Sequence, residues 1–304
     1  MRHEAELVIK NKSYIMLVTF EREQKNAMME GEALRQLLWE AAVDAVSLDT
    51  MMKYRHTMIT GDAGTGKTYS VMKAAAESGH TVFTIQGQAS LFGMAQSLAV
   101  LKAKNFNTPV IVIIDDCDFM FNDADSINAM KKILVAEDSA FEYGKSINLN
   151  VIPEGPKRDA MELFMNDESQ GFRIPLDNFH FVFTSNAQLP TKKYKQELLV
   201  KSKGMMTPKI EKIDHLLAIR SRLNYKSVNT DKNGMWGAIA TVLLTDEACP
   251  ELTEQEKMLL LNWMWEKWDD MSETSVRTAE KMAEDLRRVG VEQVKDRWSY
   301  NFLD

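Results

Sequence analysis

Gly61-Asp62-Ala63-Gly64-Thr65-Gly66-Lys67-Thr68 is the stretch that decides how this chain is read. It fits the pattern G-x-x-x-x-G-K-[ST]. It also lies where the chemistry of that pattern requires, directly after the apolar run 56–60 and at the opening of a helical stretch. The glycines let the backbone wrap a phosphate chain, the N–H groups from Ala63 to Thr68 turn inward, and the helix N-terminus adds positive potential. In such a loop Lys67 reaches the β- and γ-phosphates and the Thr68 hydroxyl ligates Mg²⁺. All eight residues are therefore expected to bind phosphate: Gly61, Asp62, Ala63, Gly64, Thr65, Gly66, Lys67 and Thr68.

Outward from this loop, short apolar runs alternate with helical stretches. Residues 81–85 precede a helix from about Ser90, and 110–114 precede one from about Asp125. A fourth run at 180–184 and a weaker fifth at 224–228 complete the series. Strands alternating with helices of this length predict a parallel sheet covered on both faces. Residues 22–48, with Met28, Leu34, Leu37, Leu38, Ala41 and Ala45 at near-helical spacing, predict one or two helices ahead of it. After Asp231 the strand signals stop, and 234–245, 253–269 and 275–289 read as helices, with Pro250 and the cluster 272–275 as breakers and caps. The segment 144–179 holds Gly144, Pro153, Gly155, Pro156, Gly171 and Pro175 and fits neither pattern. Both a functional loop and a disordered stretch stay open for it.

Val110-Ile111-Val112-Ile113-Ile114-Asp115-Asp116 is a wholly apolar run that ends in two acids. A strand buried on both faces reads as continuous apolar sequence, and its carboxyl end is where α/β folds place ligands. Asp115 is placed to hold Mg²⁺ through water, and Asp116 to polarise an attacking water. Cys117 reads as a small buried residue, because no histidine beside it completes a nucleophilic pair.

Composition narrows the classes. The chain has 304 residues, 37 Lys+Arg against 44 Asp+Glu and a net charge of −7, with 45% apolar and 27% charged residues. Those fractions belong to an ordinary globular protein and exclude a disordered or collagen-like chain. In the central part the longest apolar run is 110–114, far short of a membrane span. The amino terminus, with Glu4, Glu6, Lys10 and Lys12, lacks the apolar core of an export signal. Cys117 and Cys249 are too few for a disulfide framework or a zinc site. We expect a soluble, cytoplasmic protein without membrane partners. Most of the 20 methionines fall at helical spacing among apolar residues, as core fillers do.

From about residue 50 to 290 the chain resembles the AAA+ ATPases. In that family four apolar residues and Asp-Glu form the Walker B element; residues 111–118 follow it, with Asp116 where Glu is expected. Aspartate is one methylene shorter, and a misplacement of about 1 Å costs on the order of 100-fold in rate. Hydrolysis that is slow or depends on a partner is the implied consequence. Phe181-Val182-Phe183-Thr184-Ser185-Asn186 looks like the strand inserted between the Walker A and Walker B strands, which makes Asn186 similar to the sensor 1 residue that orients the lytic water. Ala218-Ile219-Arg220-Ser221-Arg222-Leu223 resembles the helix end that carries the arginine finger. Arg222, after a serine as in clamp loaders, is favoured over Arg220; arginines capping a helix carboxyl end are the plainer alternative. Ser275-Val276-Arg277 looks like sensor 2, with Arg277 reaching the γ-phosphate.

The resemblance implies a P-loop NTPase fold with a parallel five-stranded sheet flanked by helices and a C-terminal helical lid. The expected partition is an N-terminal helical extension at 1–55, the α/β nucleotide-binding domain at 56–230 and the lid at 231–304. It also implies ATP and Mg²⁺ as ligands and a homo-oligomeric ring, expected to be a hexamer, that remodels or threads a protein or nucleic acid. Two alternatives stay open. One is a replication accessory such as a clamp or helicase loader; the other is a slow ATP-dependent switch. Leu91-Phe92-Gly93 lies where polymer-threading members carry a pore loop, although Phe92 equally suits a core. Residues 191–213 hold seven lysines against Glu197 and Glu211, a net +5, which reads as a solvated face or as a phosphate-backbone contact. The compact plan and the box Asp115-Asp116-Cys117-Asp118 also look like AAA+ proteins of tailed phages, which would place the chain in the host cytoplasm.

Overall fold

The computed structural model describes residues 20–48, 56–85, 90–135, 139–143, 149, 152–165 and 171–303. They fall into two compact units, one formed by 41–61 and 68–227, the other by the described parts of 1–40, 62–67 and 228–304. The strands are β1 (Thr57–Gly61), β2 (Thr81–Ile85), β3 (Val110–Ile114), β4 (Ala140–Tyr143), β5 (Phe172–Pro175), β6 (Phe179–Ser185) and β7 (Asn224–Val228). The helices are α1 (Arg22–Val46), α2 (Lys67–Glu77), α3 (Leu91–Lys104), α4 (Ala124–Ile133), α5 (Pro156–Glu162), α6 (Lys192–Lys201), α7 (Pro208–Arg220), α8 (Lys232–Leu244), α9 (Glu254–Lys267), α10 (Val276–Val289) and α11 (Val291–Phe302).

In the first unit a five-stranded sheet runs in the order β2-β3-β6-β1-β7. β1 and β3 both pair with β6 in parallel, and β2 pairs with β3 in parallel. The sheet is thus the parallel one expected, and β6 stands between β1 and β3. All five residues of β3 are fully buried. Each such Val or Ile contributes about 1.5–3 kcal/mol relative to exposure, which is why the run is continuously apolar. Edge strand β2 instead alternates between exposed and partly covered residues up to the buried Ile85.

Part of the segment 144–179 forms regular elements that its glycines and prolines do not suggest. Its described part contains α5 and β5, and β5 pairs antiparallel with β4 to form a separate two-stranded ribbon. Phe141 and Ile174 face each other across that ribbon, and both are buried in the same core as β3 and β6. The remainder, 144–148, 150–151 and 166–170, lies outside the described residues.

The second unit is helical. Trp236 and Trp298 are completely buried, and their indole N–H groups donate to the carbonyls of Leu261 and Met282 at 3.0 and 3.1 Å. The first part of α1 crosses α8 with glycine against backbone: a Cβ on Gly237 would lie 1.8 Å from the Ala27 carbonyl oxygen, so no side chain fits there. The sequence pattern predicts a last helix at 275–289. Gly290, at φ 75°, does terminate α10, but it also starts α11 directly. Among the described residues no helix is long and apolar enough to cross a membrane.

Candidate active site

The octapeptide leaves β1 and enters α2 as expected. Gly64 and Gly66 take φ of 76° and 91°, a left-handed backbone in which a side chain is strained. Inside the loop the Asp62 carbonyl accepts from Thr65 Oγ1 at 3.0 Å and from Lys67 Nζ at 2.8 Å. Lys67 is buried, so its charge is kept by oxygens of its own loop. Gly64 is closed on its outer side, since a Cβ there would come within 2.4 Å of the Ser275 Cβ. Ser275 caps α10, accepting from the Thr278 N–H at 3.1 Å, and Arg277 stands exposed in the first turn of that helix.

At the other end of the motif, strand register does the positioning. Ile114 pairs with Phe183, so the residues that follow β3 meet the end of β6 in step. Asp115 accepts hydrogen bonds from the Thr68 hydroxyl at 2.6 Å and from the Thr184 hydroxyl. The Thr184 oxygen accepts in turn from the Asp116 N–H at 3.3 Å. Ser185 donates to Asp118, and Asn186 Nδ2 lies 3.4 Å from Asp116 Oδ1. Three successive residues of β6 and its exit therefore each set a side chain on one carboxylate of the 115–118 turn, and Thr184 also holds the Asp116 N–H. Asp116 is exposed and has φ 49° and ψ 50°, a left-handed conformation that few non-glycine residues adopt.

Thr184 and Ser185 were not singled out from sequence. The signal was available in the tract Thr-Ser-Asn after an apolar strand, to be set against Asp-Asp-Cys-Asp after another. Cys117 is fully buried, and burial, followed by the Asp118 charge, pushes its thiol pKa well up. It is protonated and packed at neutral pH, as expected of a core residue.

The two arginines at the end of α7 separate clearly. Arg220 turns back on its own chain: Nη1 donates to the carbonyls of Leu189 at 2.7 Å and Pro190 at 3.2 Å, and the guanidinium lies 4.2 Å from the centre of the Tyr225 ring. Tyr225 fixes the same loop from the other side, its hydroxyl accepting from the Leu189 N–H at 3.1 Å and from Thr60 at 2.8 Å. Arg222 is exposed and donates to the Lys131 carbonyl at 3.2 Å. Phe92 is half-buried and packs against the core, which answers to the plainer of its two sequence readings.

The donor set suits a hard cation. Thr68 and Asp115 offer a hydroxyl and a carboxylate oxygen at hydrogen-bond distance, and Mg²⁺ is bound by one or two carboxylates together with substrate phosphates. Among the described residues there is no cluster of three or more His, Cys, Asp or Glu that could cage a metal by itself.

Compared with known families, residues 57–149 match the model of the AAA family, the ATPases associated with various cellular activities. The match spans β1, the phosphate loop, β3 and the acids that follow it. No curated protein matches the chain.

Proposed function

We propose that the chain, whose residues 57–149 match the AAA family, is an ATPase that works as a homo-oligomeric ring, expected to be a hexamer. Its subunits hydrolyse ATP at their interfaces in order to remodel or thread a protein or nucleic-acid polymer. The N–H groups from Ala63 to Thr68, with the Lys67 ammonium, hold the triphosphate. Thr68 and Asp115 hold Mg²⁺, which when bound neutralises charge on the β- and γ-phosphate oxygens.

Asp116 takes a proton from water as the water oxygen bonds to the γ-phosphorus. The bond to the β,γ-bridging oxygen breaks, and ADP leaves with that electron pair. Asn186 orients the same water. Arg222 supplies positive charge to the γ-phosphate of a neighbouring copy, and Arg277 supplies it from α10, the helix whose cap Ser275 abuts Gly64. Arg220 positions the loop after β6. The observation that supports this reading is the alignment of Thr184 and Asn186 with Asp115 and Asp116, because it gives the two carboxylates separate side-chain partners.

A second reading, a slow switch that binds partners and seldom turns over, is favoured by the short carboxylate of Asp116. Replacing Asp116 by Glu separates the two: a large gain in turnover supports the switch, and an unchanged rate removes its basis. For the ring, Lys67→Ala and Arg222→Ala subunits are each expected to be inactive and to regain part of the wild-type turnover when mixed. A mixture no more active than its parts would reject an arginine acting between subunits.

A further inference from the structure

α6 is unusual among the helices of the first unit in that it buries no side chain. A surface helix of a folded domain normally gives a stripe of residues to the core. With α7 it forms a hairpin whose lysines face solvent. Lys192, Lys193, Lys201, Lys203 and Lys209 are all exposed and make no ion pair among the described residues, whereas Lys195 pairs with Asp214. At the root of the hairpin lies a cleft of about 400 Å³, walled by Leu189, Pro190, Tyr194, Ile213, Lys209 and Lys212. Tyr194 is 41% exposed, open enough to be touched from solvent.

We propose that the α6–α7 hairpin is a docking surface for single-stranded nucleic acid, with a base stacked on Tyr194 in the cleft and the unpaired lysines meeting phosphates. Charge complementarity favours a polyanion: the hairpin gathers a net +5 within a chain of net −7. The cleft then favours a single strand, because only unpaired bases present a free face to an aromatic ring, and such stacking tolerates any sequence. A duplex would use the lysines but leave the cleft without a role.

The same loop that walls the cleft, 186–191, begins with Asn186 and is clamped by Arg220 and Tyr225. A strand held there presses on a segment that carries a proposed catalytic group. This coupling rests on the ATPase reading above; the docking itself does not.

The test uses the full chain and a fluorescently labelled thymidine 20-mer, followed by anisotropy over a range of salt concentrations. Wild-type protein is expected to bind, with affinity falling as salt rises. Replacing Lys201, Lys203 and Lys209 together by Ala should lower the slope of log K against log salt by about 2, from roughly 0.7 per phosphate lost on a single strand. Tyr194→Ala should weaken binding about tenfold, and Tyr194→Phe should restore it. Lys281→Ala with Lys295→Ala, on α10 and α11, should change nothing.

Melting temperatures and ATP turnover without oligonucleotide should stay at wild-type values in every variant. Failure of the wild type to bind at low salt would overturn the proposal. So would equal binding by the lysine and tyrosine variants, or the same lysine dependence on duplex or on acidic phospholipid vesicles without any effect of Tyr194. Intact turnover with no strand binding would reject the docking surface alone, whereas strand binding with no turnover would reject the ATPase reading and leave the surface standing.

Discussion

The end of β6, paired in register with that of β3, and the α6–α7 hairpin that follows it in the chain treat their polar groups in opposite ways. At the strand ends every acid from Asp115 to Asp118 has a partner on β6 or its exit: Thr184 for Asp115, Asn186 for Asp116 and Ser185 for Asp118. Seven residues further on, five lysines stand in solvent without an ion pair among the described residues. The first arrangement ties the partly buried Asp115 and Asp118 and the exposed Asp116 to side chains of one strand end, so each residue there depends on its neighbours. The second contributes little to folding, so its residues answer to whatever meets them from outside. Position within a hydrogen-bond network thus separates the groups that the fold fixes in place from those left for a partner.

The largest effect is expected where the network is also the site. Asp115→Asn keeps the shape but loses the charge, and ATP hydrolysis should fall by about 10²–10³-fold with the melting temperature little changed. A near-normal rate would show that the strand-end acids are structural only.

Next comes the arginine pair, two residues apart on the same helix end. Arg220→Ala should destabilise the first unit by about 1–3 kcal/mol in denaturant titration, since it leaves two carbonyls unanswered. Arg222→Ala should leave stability within about 0.5 kcal/mol and act on turnover instead. Equal losses of stability would erase the distinction drawn between them.

A smaller effect is expected at the α9 cap in the helical unit. There Thr253 accepts from the Glu256 N–H while the Glu256 carboxylate accepts from Thr253. Those hydrogen bonds, side chain first and backbone second, lower the Glu256 pKa. Its folded pKa is thus below its unfolded one, so the contribution is present at neutral pH and is lost as pH falls through the lowered value. Thr253→Ala should cost about 1 kcal/mol near pH 7 and less in acid; a cost independent of pH would contradict the cap. Smallest of all, Lys192→Ala or Lys193→Ala on α6 should move stability by no more than about 0.5 kcal/mol.

The central sheet was legible because its middle strands β1, β3 and β6 are buried on both faces. Val110 to Ile114 has no polar residue to mislead the reading, and the octapeptide carries its mechanism in its own spacing. The β4–β5 ribbon was not legible, because Phe141 and Ile174 pair across more than thirty residues that include Pro153, Gly155 and Pro156. Local pattern holds no trace of such a pairing. α11 was missed for the opposite reason: Gly290 is a correct stop signal, but the same glycine opens the next helix, and Val294 and Trp298 are its buried face.

At the site, the acids and Asn186 could be named from order along the chain. Thr184 needed the register of β6 against β3, and the contrast between Arg220 and Arg222 needed the loop that only Arg220 holds.

The most direct test of the account is phosphate release from ATP in the presence of Mg²⁺, measured side by side for the wild type and Lys67→Ala. The account predicts turnover by the wild type and a loss of about 10²–10³-fold in the variant, with melting temperatures alike. Equal rates in the two proteins, or no release from the wild type under any condition that supports binding of the nucleotide, would contradict it.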